Sequence, residues 1–171
     1  MMRKTSGLTV LELVFSVGLV FILAAVAFWA VNPLERFKQN RDRERMADFE
    51  AIRAAIDSQI SAGQILGTTF GIPSNTAGVG VSFKTDGSGW VPMVLPGLSE
   101  LPRDPRNGEQ FPDVLKSAVL GEYQYVSDGK YFILRTHLEA EIYRDRYAQD
   151  GNDNTWYEIG NAAGMSTYFG L

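Results

Sequence analysis

The sequence predicts an α+β chain, with one long N-terminal helix packed on a small antiparallel sheet. Three observations predict it. Leu8 to Val31 is an apolar run of 24 residues in which Glu12 is the only charge. Met46, Phe49, Ile52, Ile56 and Ile60 then recur at spacings of three or four, the period of one helical face. Of 17 glycines only Gly7 and Gly18 lie before residue 63, and of 7 prolines only Pro33 does, so turn-forming residues crowd into the rest of the chain.

Taken in order, residues 1–7 form a short polar leader carrying Arg3 and Lys4. Residues 8–31 follow as a membrane-spanning helix: at about 1.5 Å per residue the run covers roughly 36 Å, against a hydrocarbon core of about 30 Å. The basic pair ahead of it keeps the N-terminus cytoplasmic and sends the remainder outward. Pro33 lacks an amide hydrogen and clashes with the preceding turn, so a kink or break is expected between Val31 and Pro33.

Residues 32–62 form the amphipathic half of the helix, ended by Gly63. Between Glu35 and Asp57 there are six basic and six acidic residues. Pairs such as Arg45 with Asp48 and Arg53 with Asp57 fall at helical neighbour spacing and read as a solvated face. Mixed charges of this kind can also set the register between stacked copies of a long helix.

Residues 63–171 form a β-rich head. Gly78 to Phe83 and Trp90 to Leu95 read as short strands around the Thr85-Asp86-Gly87-Ser88-Gly89 turn. Tyr123 to Val126 and Tyr131 to Arg135, separated by Ser127-Asp128-Gly129-Lys130, form the clearest hairpin. Leu101 to Gly108 holds two prolines and is an ordered loop, not a central strand.

Composition narrows the chemistry. With 16 basic and 20 acidic residues the net charge is −4, the wrong sign for binding nucleic acid with the whole surface. No cysteine is present, which removes disulfides, thiolate metal sites and thiol nucleophiles. The single histidine, His137, has no serine and carboxylate arranged around it as a triad and reads as structural. Asp104-Pro105 reads as a turn. The tyrosines and tryptophans of the second half lack basic interleaving and read as core rather than as a stacking platform for single-stranded DNA.

Two sites stand out. The first is Glu12. A carboxylate inside the apolar run costs roughly 2.5 to 3.5 kcal/mol on insertion scales, which argues against a disposable signal peptide and calls for a cationic partner that the same helix does not provide. The second is the loop Asp150-Gly151-Asn152-Asp153-Asn154, where Asp150, Asn152, Asp153 and Asn154 set four oxygen-bearing side chains within five residues. It reads either as a turn rich in Asp and Asn or as a calcium site. It is no EF-hand, because Thr155 stands at the sixth position and Asn161 at the twelfth.

Gly7-Leu8-Thr9-Val10-Leu11-Glu12, behind a short basic leader and ahead of an unbroken apolar stretch, resembles the prepilin motif of type IV pilins and type II secretion pseudopilins. Segments farther on, such as Leu101-Pro102-Arg103-Asp104-Pro105 and Trp156-Tyr157-Glu158-Ile159-Gly160, are similar to pseudopilin-like chains. The resemblance implies a pilin-like fold and cleavage between Gly7 and Leu8 by an inner-membrane prepilin peptidase, followed by N-methylation of Leu8. It also implies that Glu12 meets the N-terminal amine of a neighbouring subunit. The implied role is a non-enzymatic, structural subunit of a helical filament built from copies of the chain by an inner-membrane assembly platform and a cytoplasmic ATPase. Before assembly the subunit would be a single-pass inner-membrane protein with an extracytoplasmic C-terminal head; afterwards it would lie in a periplasmic or cell-surface filament. The absence of cysteine sides with the cysteine-free major pseudopilin branch. Members of that branch hold calcium in a C-terminal loop, which this loop does not match residue by residue. The alternatives are a membrane-anchored extracytoplasmic binding protein, a membrane-anchored hydrolase, or a minor pilin in adhesion or DNA uptake.

Overall fold

The computed structural model describes residues 7–151 and 153–171. Most of the expected leader, residues 1–6, and the proposed ligand Asn152 lie outside the described residues. The fold is α+β, and the chain divides into two compact units, one ending at Arg36 and one running from Phe37 to Leu171.

The first unit is dominated by helix α1, Val10–Val31. Every side chain described from Leu8 to Trp29 is exposed. By length and composition this helix is able to cross a membrane. It ends at Asn32, which takes a left-handed conformation (φ 41°, ψ 68°). Asn32 then starts helix α2, Pro33–Ser61, because its side-chain oxygen accepts from the Glu35 amide at 3.4 Å and its carbonyl from the same amide at 3.1 Å. Pro33 suits the first helical position, where its missing N–H would have no partner in any case.

In the second unit α2 buries Phe49, Ile52 and Ile56. It stops at Gly63 (φ 80°), where the Gln64 amide reaches back to the Gln59 carbonyl at 3.0 Å. Among the described residues six short strands follow: β1 (Ser74–Asn75), β2 (Gln110–Pro112), β3 (Ala118–Leu120), β4 (Gln124–Ser127), β5 (Phe132–Thr136) and β6 (Tyr157–Gly160). The main sheet has the order β1-β4-β5-β6 and is antiparallel throughout; β2 and β3 form a separate hairpin. A 3-10 helix (Glu141–Ala148) leads into β6, and a short helix α3 (Ser166–Phe169) closes the chain.

Alternation along β4 and β5 sends residues to two faces. Tyr125, Phe132 and Leu134 join Phe49, Ile52 and Ile56 in the main core, where the Phe49 ring meets Tyr123 edge-on at 4.9 Å. Val126 and Ile133 point the other way and are covered by Ala162, Met165 and Phe169. The C-terminal segment thus seals the second face.

The turn between β4 and β5 follows its sequence signal. Asp128 Oδ1 accepts from the amides of Lys130 and Tyr131, both at 2.8 Å, and Gly129 takes φ 92°. The strands expected at Gly78 to Phe83 and Trp90 to Leu95 do not form. That region holds a single bridge, Asp86 to Val94, and is otherwise irregular. Burial does alternate there, with Val91, Met93 and Leu95 buried and Val94 exposed, but Pro92 and Pro96 remove ladder donors. The apolar pattern reports burial, not a paired strand.

The helix face read as solvated is corrected most at Arg45, which does not pair with Asp48. Arg45 is fully buried. Its guanidinium makes two bonds to Asp104 (2.7 and 2.9 Å), one to Asp42 (2.7 Å) and one to Glu139 (2.8 Å). Asp42 in turn accepts from the backbone amides of Glu139 (3.0 Å) and Ala140 (2.7 Å). Burial by itself would raise the Glu139 carboxyl, but Arg41 and Arg45 together hold it below its ordinary range. Asp48 instead accepts from the Tyr123 hydroxyl at 2.7 Å. The other expected pair, Arg53 with Asp57, is present at 3.7 Å on the surface.

Candidate functional site

Two regions carry the residues singled out from the sequence, and they lie at opposite ends of the chain. Gly7, Leu8 and Thr9 precede the helix, non-helical and exposed. Nothing lies within 4 Å of the position a Cβ would occupy on Gly7. Thr9 is the N-cap of α1, and with Glu12 it forms a reciprocal capping box. The Glu12 amide donates to Thr9 Oγ1 at 3.2 Å, and the Thr9 amide donates to Glu12 Oε2 at 2.9 Å. The Thr9 hydroxyl adds a 3.0 Å bond to the same carboxylate oxygen. Ser16 donates its hydroxyl to the Glu12 carbonyl at 2.7 Å, one more polar contact within the first two turns of an otherwise apolar helix.

The helix therefore supplies a neutral partner for Glu12 where a cation was sought. The Thr-x-x-Glu spacing is a capping signature visible in the sequence.

At the other end the acidic loop divides. Asp153 turns its carboxylate onto Thr155, accepting from the amide at 2.9 Å and the hydroxyl at 2.6 Å, while Asn154 is exposed. Asp150 behaves differently. Its Oδ2 accepts from the Glu158 amide at 3.0 Å, and its Oδ1 is buried with no hydrogen-bond partner. Glu158, on β6, is fully buried. Its Oε1 accepts from the Ser166 hydroxyl, and its Oε2 is buried without a partner. Burial, with Glu158 alongside, pushes the Asp150 carboxyl up to about 6, and burial also raises Glu158. No three His, Cys, Asp or Glu side chains converge as a metal-ligand set among the described residues. The orphaned oxygens on Asp150 and Glu158 nevertheless suit a hard cation chemically. Glu158 was not singled out from the sequence, since nothing local marks a strand glutamate as the neighbour of a loop eight residues earlier.

His137 serves the fold. Its ring lies 3.8 Å from that of Trp156, and Nδ1, buried and without a hydrogen bond, is 3.9 Å from Asp113. Burial, only partly opposed by Asp113, pushes the imidazole down to about 4, so it is neutral at pH 7. A base with a lowered folded-state pKa contributes its full stability above the unfolded value of about 6.5 and loses it as pH falls toward 4. The loss attributable to His137 is expected to be about 3 kcal/mol. Urea unfolding of wild type and His137→Gln between pH 7 and 4 isolates it as the difference in slope; parallel curves would refute it.

Comparison of the chain with protein-family models, with curated proteins and with solved structures finds no match.

Proposed function

We propose that this chain is a structural subunit of a type IV pilus-like or pseudopilus filament, with a pilin-like fold, made as a membrane-anchored precursor and cut between Gly7 and Leu8. The observation that carries the reading is at the N-terminus: an exposed, non-helical Gly7-Leu8-Thr9 leads straight into a capped apolar helix with all its described side chains exposed. An apolar surface of that extent needs lipid or other apolar helices around it. A protease needs an accessible bond outside a helix, and the segment ahead of Val10 offers one.

The placement of polar groups along α1 suits insertion. Trp29, highly exposed, belongs at a membrane interface, and Glu12 lies 17 residues earlier, about 26 Å along the helix axis. That puts Glu12 near the cytoplasmic edge of a core about 30 Å thick, where its capping box and the interface together ease the cost of a carboxylate. After cleavage the new amine of Leu8 is one residue from Thr9. Filament assembly then exchanges the local cap for the amine of a neighbouring subunit, with the apolar helices packed in the filament core and the heads outside. The role is mechanical, and the energy comes from a separate cytoplasmic ATPase acting through the assembly platform.

Intact-mass analysis of the natural protein tests this directly. The expected species lacks residues 1–7 and carries one added methyl group. Gly7→Phe should leave the precursor uncut, reducing processing at least tenfold, whereas Ala27→Phe should be processed normally. An uncut wild-type chain, or a cut after Ala27, would end the reading.

A further inference from the structure

The head carries an uncharged apolar segment that the fold leaves uncovered. From Ser58 to Phe83 no residue is charged, a run of 26 positions in a chain that is 21% charged overall. On this run Ile65, Phe70 and Ile72 face solvent, with Phe70 86% exposed. Apolar side chains scattered singly need no explanation, whereas several on a segment free of charge mark a contact surface.

The segment is held in place. The Thr69 amide donates to the Ser127 carbonyl at 2.8 Å, the Ser127 amide donates to Thr69 Oγ1 at 3.1 Å, and the Tyr125 hydroxyl donates to the Gly67 carbonyl at 2.9 Å. A Cβ on Gly67 would strike the Pro92 carbonyl, so the start of the turn presses against that loop. At the tip Phe70 takes φ 55°, a left-handed conformation that is uncommon for a bulky aromatic residue. Strain of this kind persists only where the surroundings impose it, and it gathers at clamps and contact points. The turn thus holds the Phe70 ring outward.

Beside the turn lies a matching concavity. Gln59 at the end of α2, Ile65, Pro92, Met93 and Val94 line a groove of about 230 Å³, and none of the residues lining it is charged. A charged partner surface set against this face would lose its hydration without compensation, so the occupant must be apolar and uncharged as well. The Phe70 turn of the chain itself meets that requirement. It cannot fill its own groove, because it is tied to the end of strand β4 with its ring in solvent.

We infer that Phe70 of one copy of the chain seats in the groove of the next. Contact between two different patches of identical chains repeats without closing on itself, as a filament requires. The choice of a second copy as occupant rests on the filament reading and deepens it, giving the heads a contact of their own beside that of the apolar helices.

The test uses full-length chains in the native cells. The chain has no cysteine, so introduced thiols report the contact cleanly. One chain carries Ile72→Cys, in the Phe70 turn, and a second, differently tagged, carries Gln64→Cys on the groove; a short bifunctional maleimide then joins neighbouring thiols. Cross-linking between the two is expected at least tenfold above that of Ile72→Cys with Glu109→Cys, an exposed site outside the groove. Adding Phe70→Gly to the Ile72→Cys chain should reduce it to the control level. Purified Phe70→Gly should nevertheless melt at or above the wild-type midpoint, because glycine takes φ 55° freely. That readout separates loss of the contact from loss of the fold. Cross-linking at the control level, or cross-linking that Phe70→Gly leaves unchanged, would overturn the inference, and filaments imaged in the same cells would leave the filament reading standing. Strong cross-linking that depends on Phe70 in cells without filaments would keep the contact and remove the filament.

Discussion

Replacing Arg45 with methionine is expected to destabilise the head by about 3 to 5 kcal/mol, the range for removing one partner of a buried ion pair. The reason is not the loss of four hydrogen bonds as such. Asp42, Asp104 and Glu139 would remain in a dry interior with their shared counter-ion gone, and Glu139 would keep ion pairs with Arg41 at 2.6 Å and Arg106 at 3.5 Å. Asp42 would retain the amides of Glu139 and Ala140, and Asp104 the Arg106 amide at 2.7 Å, but each would lose its direct ion pair. Urea unfolding of the full chain in micelles measures the change, and the melting midpoint should fall by about 10 °C or more. Arg53→Met is the control. Its pair with Asp57 is long and exposed, so its loss should cost less than about 0.5 kcal/mol. Similar small costs for both variants would show that Arg45 is not held as described. The network fixes where α2 meets the loop around Asp104 and the segment after β5.

Glu12→Val is expected to abolish filament formation, on the proposed reading, while leaving cleavage after Gly7 intact. Valine at this position inserts more readily, so a loss of filaments cannot be ascribed to a failed membrane insertion. The capping box adds a second possibility that one variant separates. Glutamine also serves at the third helical position of a capping box, so Glu12→Gln preserves the bonds with Thr9 while removing the charge. If assembly needs the carboxylate against a neighbour's amine, Glu12→Gln should lose filaments as completely as Glu12→Val, at least a hundredfold in pelleted or imaged filament. Full assembly by Glu12→Gln with failure of Glu12→Val would assign the residue to capping alone. Normal yields from both would remove Glu12 from assembly.

What the amino-acid sequence determined by itself is what short-range physics controls. The length and apolarity of α1 follow from an unbroken run of side chains. The break at Asn32 follows from Pro33, which cannot donate to the preceding turn, and the stop at Gly63 from a residue free to take φ 80°. The β4–β5 hairpin follows from Asp128 and Gly129, whose bonds close within three residues. The Thr9–Glu12 cap was equally local and equally readable.

What only the tertiary structure decided are the contacts whose partners are far apart in the chain. Arg45 meets Asp104 across 59 positions and Glu139 across 94, so no helical spacing could reveal that it turns inward rather than toward Asp48. Strand β6 gains its place from β5, and with it Glu158 comes beside Asp150. Burial at Trp90 and Leu95 was legible as apolarity, but the backbone there was not, because hydrophobic transfer is indifferent to direction whereas a strand needs donors that Pro92 and Pro96 lack. Local backbone preferences are written residue by residue; charges buried by folding are chosen by the packing that surrounds them.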